Sequence, residues 1–450
     1  MTDITLEPVT AAAAIESQKL QRHFGRFDIL FFLICAIVGV DTIANVAQGG
    51  GQAFTWMMVF AIAFFIPQAM MFSELGSAFP MEGGPYYWTR LAFGHLAGAV
   101  NNFLYWITNP VWIGGSLTIS CIAAVQLFFN GGRNLPTVAW FIVALAFVWL
   151  LIVAAIMSFS VAKWLPTAGA FARFVLLGLF TLSVIIFAVK HGVHGAGGQW
   201  LQALIVLPSS AITNFSGFVS AIQDVFTVYG GHISASGAAT LSGGGLILGD
   251  ACGLVFILCL LTSGVTWIMG SDRALAVSCY DGSGPRFLGV INARYGTPVR
   301  VNVFSGIVAT IVVVLAHQIT SGDAAKYFNA VLGVTISTTL ISYLLIYPAL
   351  WKLRRSHPNV AWPYKMPLYR SLTVLLMVLV AIASIQLIAP GLGSHWFGGD
   401  FIPESWTYAE RFTYLWTELI PVLIFVVGTL FWWLGRRTRA REAVVTERAE

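Results

Sequence analysis

"AIVGVDTIANVAQGGGQ", residues 36–52, places a carboxylate (Asp41), an amide (Asn45) and three consecutive glycines between apolar stretches. "DILFFLIC" (28–35) precedes it and "AFTWMMVFAIAFFI" (53–66) follows. An aspartate at the centre of a membrane helix costs roughly 2.5–3.5 kcal/mol even on insertion scales. Gly39 weakens a helix, and Asp, Thr and Asn side chains compete for backbone hydrogen bonds. Two readings follow. Asp41 is a structural carboxylate, bonded to a hydroxyl or amide on a neighbouring helix. Alternatively the first helix is interrupted over Gly39, Val40, Asp41, Thr42 and Ile43. Freed amides there would hold a substrate carboxylate, and freed carbonyls or Asp41 an amine or cation.

The surrounding composition decides the class. Of 450 residues, 58% are hydrophobic and 10% charged, whereas soluble domains hold about 45–50% and about 25%. Apolar runs of about 20 residues recur along the chain, unlike the alternation of a barrel. The expectation is an all-α polytopic membrane protein. Ten spans are predicted, at 28–47, 53–72, 97–129, 137–158, 165–189, 245–271, 299–317, 328–351, 371–390 and 413–435. The third would reach about 50 Å at 1.5 Å per residue, against a hydrocarbon core of about 30 Å, so it must tilt or project. Pro110 predicts a kink in it.

Sorted by side, 19 of the 24 lysines and arginines fall on one face and four on the other, with Arg173 alone inside a span. By the positive-inside rule the loaded face and both termini are cytoplasmic in the cell membrane. The net charge of +5 is accounted for by this asymmetry and suggests no nucleic acid. The 27-residue polar tail lacks a signal-peptide core. The five cysteines are dispersed, with Cys279 in a basic loop. The histidines are dispersed too, so neither a metal nor a cofactor is expected. No nucleotide loop, H-E-x-x-H helix or catalytic triad appears, so the chain does not read as an enzyme.

Residues 190–244 break the rhythm of spans. "GFVSAIQDVFTVY" (217–229) suits a short amphipathic helix on the membrane surface. "GGHISASGAATLSGGG" (230–245) reads as a flexible Gly/Ser-rich loop. Elsewhere, Arg173 in "GAFARFVLLGLF" either snorkels to the cytoplasmic surface or stands as a fixed internal cation, replacing a bound sodium ion or pairing with Asp41. Asn109, Ser263 and Thr266 are weaker site candidates, since helix-to-helix bonding also explains them. Gly114, Gly115 and Ser116 permit close helix packing.

Three stretches together resemble the amino acid–polyamine–organocation superfamily of permeases: "GRFDILFFLICAIVG" (25–39), "SELGSAFPMEGGPYYWTRLAFG" (73–94) and "GSDRALAVSCYDGSGPRFLGVINARYGTPVRVN" (270–302). The resemblance implies five helices repeated in inverted orientation plus two more, with a substrate site at the broken first and sixth helices. It places 39–43 on the first break and Arg173 at a fifth-helix position where some members carry a lysine linked to proton coupling. Asn109 joins the substrate-site candidates, and Ser263 and Thr266 the ion or coupling candidates, on their polar character within spans alone. It also implies an amino acid or small organic amine, polyamines included, as substrate, with a proton or exchanged substrate as coupling species.

On this pattern the chain divides into a cytoplasmic tail (1–27), a first five-helix repeat (28–189), an extracellular irregular segment (190–244), and a partial second repeat (245–351). Two C-terminal helices with their loops (352–435) and a basic cytoplasmic tail (436–450) complete it. The family's sixth helix and most of its seventh have no counterpart, the gap falling between about Gly195 and Trp200. A non-transporting membrane scaffold derived by that loss is the rival reading.

Overall fold

The computed structural model describes residues 26–40, 50–161, 164–191, 232–233, 239–240, 244–320, 324–388 and 419–447. Each of the ten apolar runs carries helix. Helix α1 is Arg26–Ile37; α2 (Gly50–Phe60) and α3 (Ile66–Ala78) are joined by a π turn. Helix α4 (Gly84–Phe93) leads into α5 (His95–Trp112) and α6 (Thr118–Ala124), followed by α7 (Thr137–Val161) and α8 (Trp164–His191). The second half holds α9 (Gly244–Ser278), α10 (Val299–Ile319), α11 (Ala324–Ser356), α12 (Tyr369–Ile388) and α13 (Ile420–Glu447). Six of these runs are long and apolar enough to cross a membrane, and four shorter helices, Phe27–Ile37, Trp164–Leu179, Tyr369–Ile385 and Ile420–Arg436, are also apolar. The protein is a helical polytopic membrane protein.

Helices α5 and α9 lie at the centre. Helix α5 packs on α4, α9, α11 and α13, while α9 also holds α8, α7 and α1. Their seam is filled by Trp106, Ile107, Cys259, Leu260, Val265 and Ile268, all buried. Outer helices turn apolar side chains outward instead: Val138, Ile142, Val175 and Leu423 are well exposed. That inversion is the pattern of a bundle solvated by lipid, where every backbone group must be met inside the helices. Close approach at the centre needs small residues. A Cβ on Gly115 would lie 1.9 Å from Val331 Cγ1, and one on Gly114 2.3 Å from the Ala309 carbonyl oxygen. Helix α5 runs through Pro110 and changes to a wider π register at Ile113–Leu117.

The structure corrects several expected boundaries. The predicted span 245–271 continues as helix to Ser278, and a buried π turn, Cys279–Ser283, extends it. Cys279 is therefore interior, not in an open loop. The stretch 73–94 is mostly helical. Residues 232–233 and 239–240, expected to be a flexible loop, form a minimal antiparallel pair. The surface helix predicted at 217–229 lies outside the described residues.

The charged loops assigned by sequence to one face do meet at one end. Arg90 pairs with Asp281 at 2.7 Å, and Arg273 with Glu82 at 3.9 Å. Fully buried Glu74 accepts from Arg354 Nε at 2.5 Å and from the Met366 amide at 2.8 Å. These pairs explain the underestimated length of α9. Arg273 and Asp281 meet opposite charges inside the protein, so the helix need not end where its hydropathy does.

Candidate functional site

The site begins with how α1 ends. The last regular helical hydrogen bond of α1 runs from the Val38 amide to Ile34 O at 3.0 Å, and residues 38 and 39 are irregular. The Gly39 amide, whose regular helical acceptor would be the Cys35 carbonyl, bonds Ile37 O at 3.0 Å instead. The last carbonyls of a helix need partners from elsewhere, and here side chains from two other helices supply them. Ser263 Oγ of α9 donates to Cys35 O at 3.1 Å. Trp267 Nε1 donates to Ala36 O at 3.0 Å. Arg173 Nε of α8 donates to Val38 O at 2.9 Å.

Arg173 is the centre of this arrangement and is 1% exposed. Besides Val38 O, its Nη1 reaches Gly169 O at 2.8 Å, Thr262 Oγ1 at 3.1 Å and Cys35 Sγ at 3.3 Å. Nη2 donates to Cys259 O at 2.8 Å and to Ser263 Oγ. Every guanidinium nitrogen is thus engaged, and among the described residues every partner is neutral. The negative poles of these backbone carbonyls, gathered at the C-terminal end of α1, favour a cation in this place. A guanidinium stays protonated in any such setting. Gly169 lets the three helices close around it: a Cβ there would lie 2.4 Å from Thr262 Oγ1 and 2.8 Å from Cys35 Sγ.

The snorkelling alternative for Arg173 is overturned, because its head group points into carbonyls of α1 and α9. Of the other sequence candidates, Ser263 and the backbone of Gly39 and Val40 belong to this junction. Thr266 is buried one turn along α9 and bonds its own helix, Oγ1 to Thr262 O at 2.7 Å. Asn109 is buried on α5 and also bonds within its helix, Nδ2 to Tyr105 O at 3.1 Å. Asp41, Thr42 and Ile43 lie outside the described residues, so the expected pairing of Asp41 with Arg173 does too. Cys35, Cys259, Thr262 and Trp267 were not singled out from sequence. The spacing of Cys259, Ser263 and Trp267, four residues apart on α9, marks one helix face and was the available signal. Among the described residues no three His, Cys, Asp or Glu side chains gather as a metal site would require.

At the charged end of the bundle, α4 and the turn after α9 are locked together. Tyr86 donates to Asp281, which also takes Arg90, and the Tyr86 hydroxyl lies 2.8 Å from Ser283 Oγ. Burial, and then the Asp281 charge, raise the Tyr86 phenol well above its ordinary range, so it serves as a neutral donor. This lock joins the two longer stretches that carry the family resemblance.

Comparison with known proteins agrees with this architecture. The amino acid permease family profile matches residues 24–241 and 238–417. The chain is 26% identical over 398 residues (77% of this chain, 82% of the relative) to the probable agmatine/putrescine antiporter AguD of Lactococcus lactis subsp. lactis. It is 25% identical over 404 residues (76% and 83%) to an uncharacterized transporter of Legionella pneumophila. It is 26% identical over 187 residues (38% and 34%) to the aspartate-proton symporter of Bacillus subtilis. With a helical membrane bundle, a first helix that ends at Ile37 and a family match over most of its length, the chain belongs to the amino acid permease family, within the amino acid–polyamine–organocation superfamily.

Proposed function

We propose that this permease carries amino acids or small organic amines across the cell membrane by secondary active transport, with its substrate site at residues 39–43. The observation that carries this reading is the end of α1: the helix stops inside an apolar bundle, and its free carbonyls are held by Arg173, Ser263 and Trp267. Backbone amides that follow such a helix end are suited to hold a substrate carboxylate. Asp41, two residues after Gly39, supplies a negative charge suited to an amine. The names of the relatives, an agmatine/putrescine antiporter and an aspartate-proton symporter, support substrates of this chemistry and coupling by exchange or by protons.

Arg173 takes the part of a fixed cation at the ion position, with Ser263 in its shell and Thr266 one turn along. A permanent guanidinium among carbonyl and hydroxyl oxygens does the structural work of a bound alkali ion, so transport is independent of sodium. Both termini lie in the cytoplasm. Uptake of labelled amino acids, agmatine and putrescine into proteoliposomes tests the reading. Wild type accumulates at least one of them, while Asp41→Ala and Arg173→Ala do not. Uptake unaffected by both changes refutes the assigned site.

A second reading has its own support. The alignment to AguD has 398 positions but occupies 77% of this chain's 450 residues, about 347, which leaves about 51 positions of the relative unmatched. Two helices of about 20 residues with their connection have that length, consistent with loss of the family's sixth helix and most of its seventh. A folded full-length chain that no substrate of the panel stabilises against heating would favour a non-transporting scaffold.

A further inference from the structure

Arg173 cannot release its proton, so proton coupling, if the carrier reading above holds, needs another group. The structure contains a buried carboxylate that no part of the α1 junction uses. Asp272 lies on α9 with no exposed surface. Its Oδ1 accepts twice, from Trp106 Nε1 at 2.9 Å and from Ser305 Oγ at 2.7 Å. Its Oδ2 is fully buried and has no partner. Two further acceptors in the same seam are also unmet: Asn102 Oδ1, one turn before Trp106 on α5, and Asn302 Oδ1, one turn before Ser305 on α10. Asn102 is fixed there by its amide, which donates to Ala274 O at 3.0 Å and Ser278 Oγ at 2.9 Å. Three buried oxygens on α5, α9 and α10 thus accept from no group, and the donors flanking Asp272 on α9, the Ser271 hydroxyl and the Arg273 guanidinium, bond none of them.

Neighbouring charges do not resolve the deficit, because those described on the packed elements are directed elsewhere. Arg173 faces α1, Arg90 holds Asp281, and Arg273 faces Glu82. Arg300 donates to Phe287 O, His95 lies 3.4 Å from Ser283 Oγ, and His317 packs on Trp140. Asp28 begins α1, Asp250 lies six turns back on α9, and α7 bears no charged residue among those described. Tyr86 and Tyr280 belong to the Asp281 lock. One added hydrogen answers the deficit at Asp272: a proton on Oδ2 removes the uncompensated charge.

We propose that Asp272 is a proton-binding site of this permease, taking a proton from water onto Oδ2 in one orientation of the carrier and returning it to water in the other. Trp106 and Ser305 hold the carboxyl in place in both states through Oδ1. The proposal rests on the carrier reading for its consequence, coupling, but not for the proton itself, and two measurements on the full-length protein separate them. In reconstituted protein, infrared difference spectra between acidic and alkaline buffer show a protonated-carboxyl C=O band that disappears on alkalinisation and is absent from Asp272→Asn. The asparagine retains an acceptor for Trp106 and Ser305, so the variant folds. An identical band in the variant overturns the site. In proteoliposomes, a pH gradient stimulates wild-type uptake severalfold and leaves Asp272→Asn unstimulated; equal stimulation of both overturns it as well. A wild type that moves no labelled amine or amino acid, yet shows the Asp272-dependent band, retains the proton site and rejects the carrier reading.

Discussion

Arg173 on α8 and Asp272 on α9 are both ionisable and both buried, and the α9 residues that Arg173 bonds, Cys259 and Thr262, lie only a few turns before Asp272, yet the protein treats the two in opposite ways. The guanidinium meets an acceptor at every nitrogen, from three helices. The carboxyl has two donors on one oxygen and none on the other. A buried charge whose hydrogen bonds are complete is a fixed part of the architecture. One left half-satisfied is costly to keep ionised, so the proton it takes is tied to what surrounds it, as the proposed proton site requires. The contrast separates a fastener from a switch within one membrane interior.

The comparison breaks first at Arg173. Arg173→Met leaves the Val38 carbonyl without its side-chain donor and the Cys259 carbonyl with Thr262 Oγ1 in place of the guanidinium, and thermal unfolding in detergent should show a loss of roughly 1–3 kcal/mol for each acceptor left unmet. A loss below about 1 kcal/mol would mean that water already serves those carbonyls. Trp106→Phe removes one of the two donors to Asp272 and should cost about 2 kcal/mol, as for a hydrogen bond to a charged group. Ser305→Ala removes the other and should cost about 1 kcal/mol. Thr266→Val sharpens the contrast from below. Its hydroxyl bonds only its own helix, so stability should change by less than about 1 kcal/mol. A larger effect would draw Thr266 into the Arg173 network.

Much of the fold was legible in the sequence because bilayer thickness imposes a length on every apolar run. Gly39 and Asp41 marked the stretch where the first helix was expected to break, and α1 ends at Ile37, with 38–39 irregular and 41–49 outside the described residues. Arg173 was conspicuous as the one cation inside a span. Its partners were not, since Cys35, Thr262 and the carbonyls of Val38 and Cys259 meet it only once α1, α8 and α9 are packed in register, and no local spacing encodes that. Asp272 was missed for a different reason. The motif "GSDRALA" looks like the polar edge of a span, and only the Arg90–Asp281 and Arg273–Glu82 pairs reveal that the helix continues inward past it. Asn109 shows the converse. Polar and beside a proline, it stood out in the sequence as a site candidate, and packing places it buried on α5 with its amide bonded to Tyr105 O of its own helix.

The most direct test of the whole account is counterflow in proteoliposomes preloaded with unlabelled agmatine, putrescine or an amino acid, assayed in sodium-free buffer. The account predicts transient accumulation of the labelled counterpart in wild type, unchanged by added sodium, and abolished in Asp41→Ala. Absence of counterflow for every substrate in a correctly folded wild type, or counterflow that persists in Asp41→Ala, would contradict it.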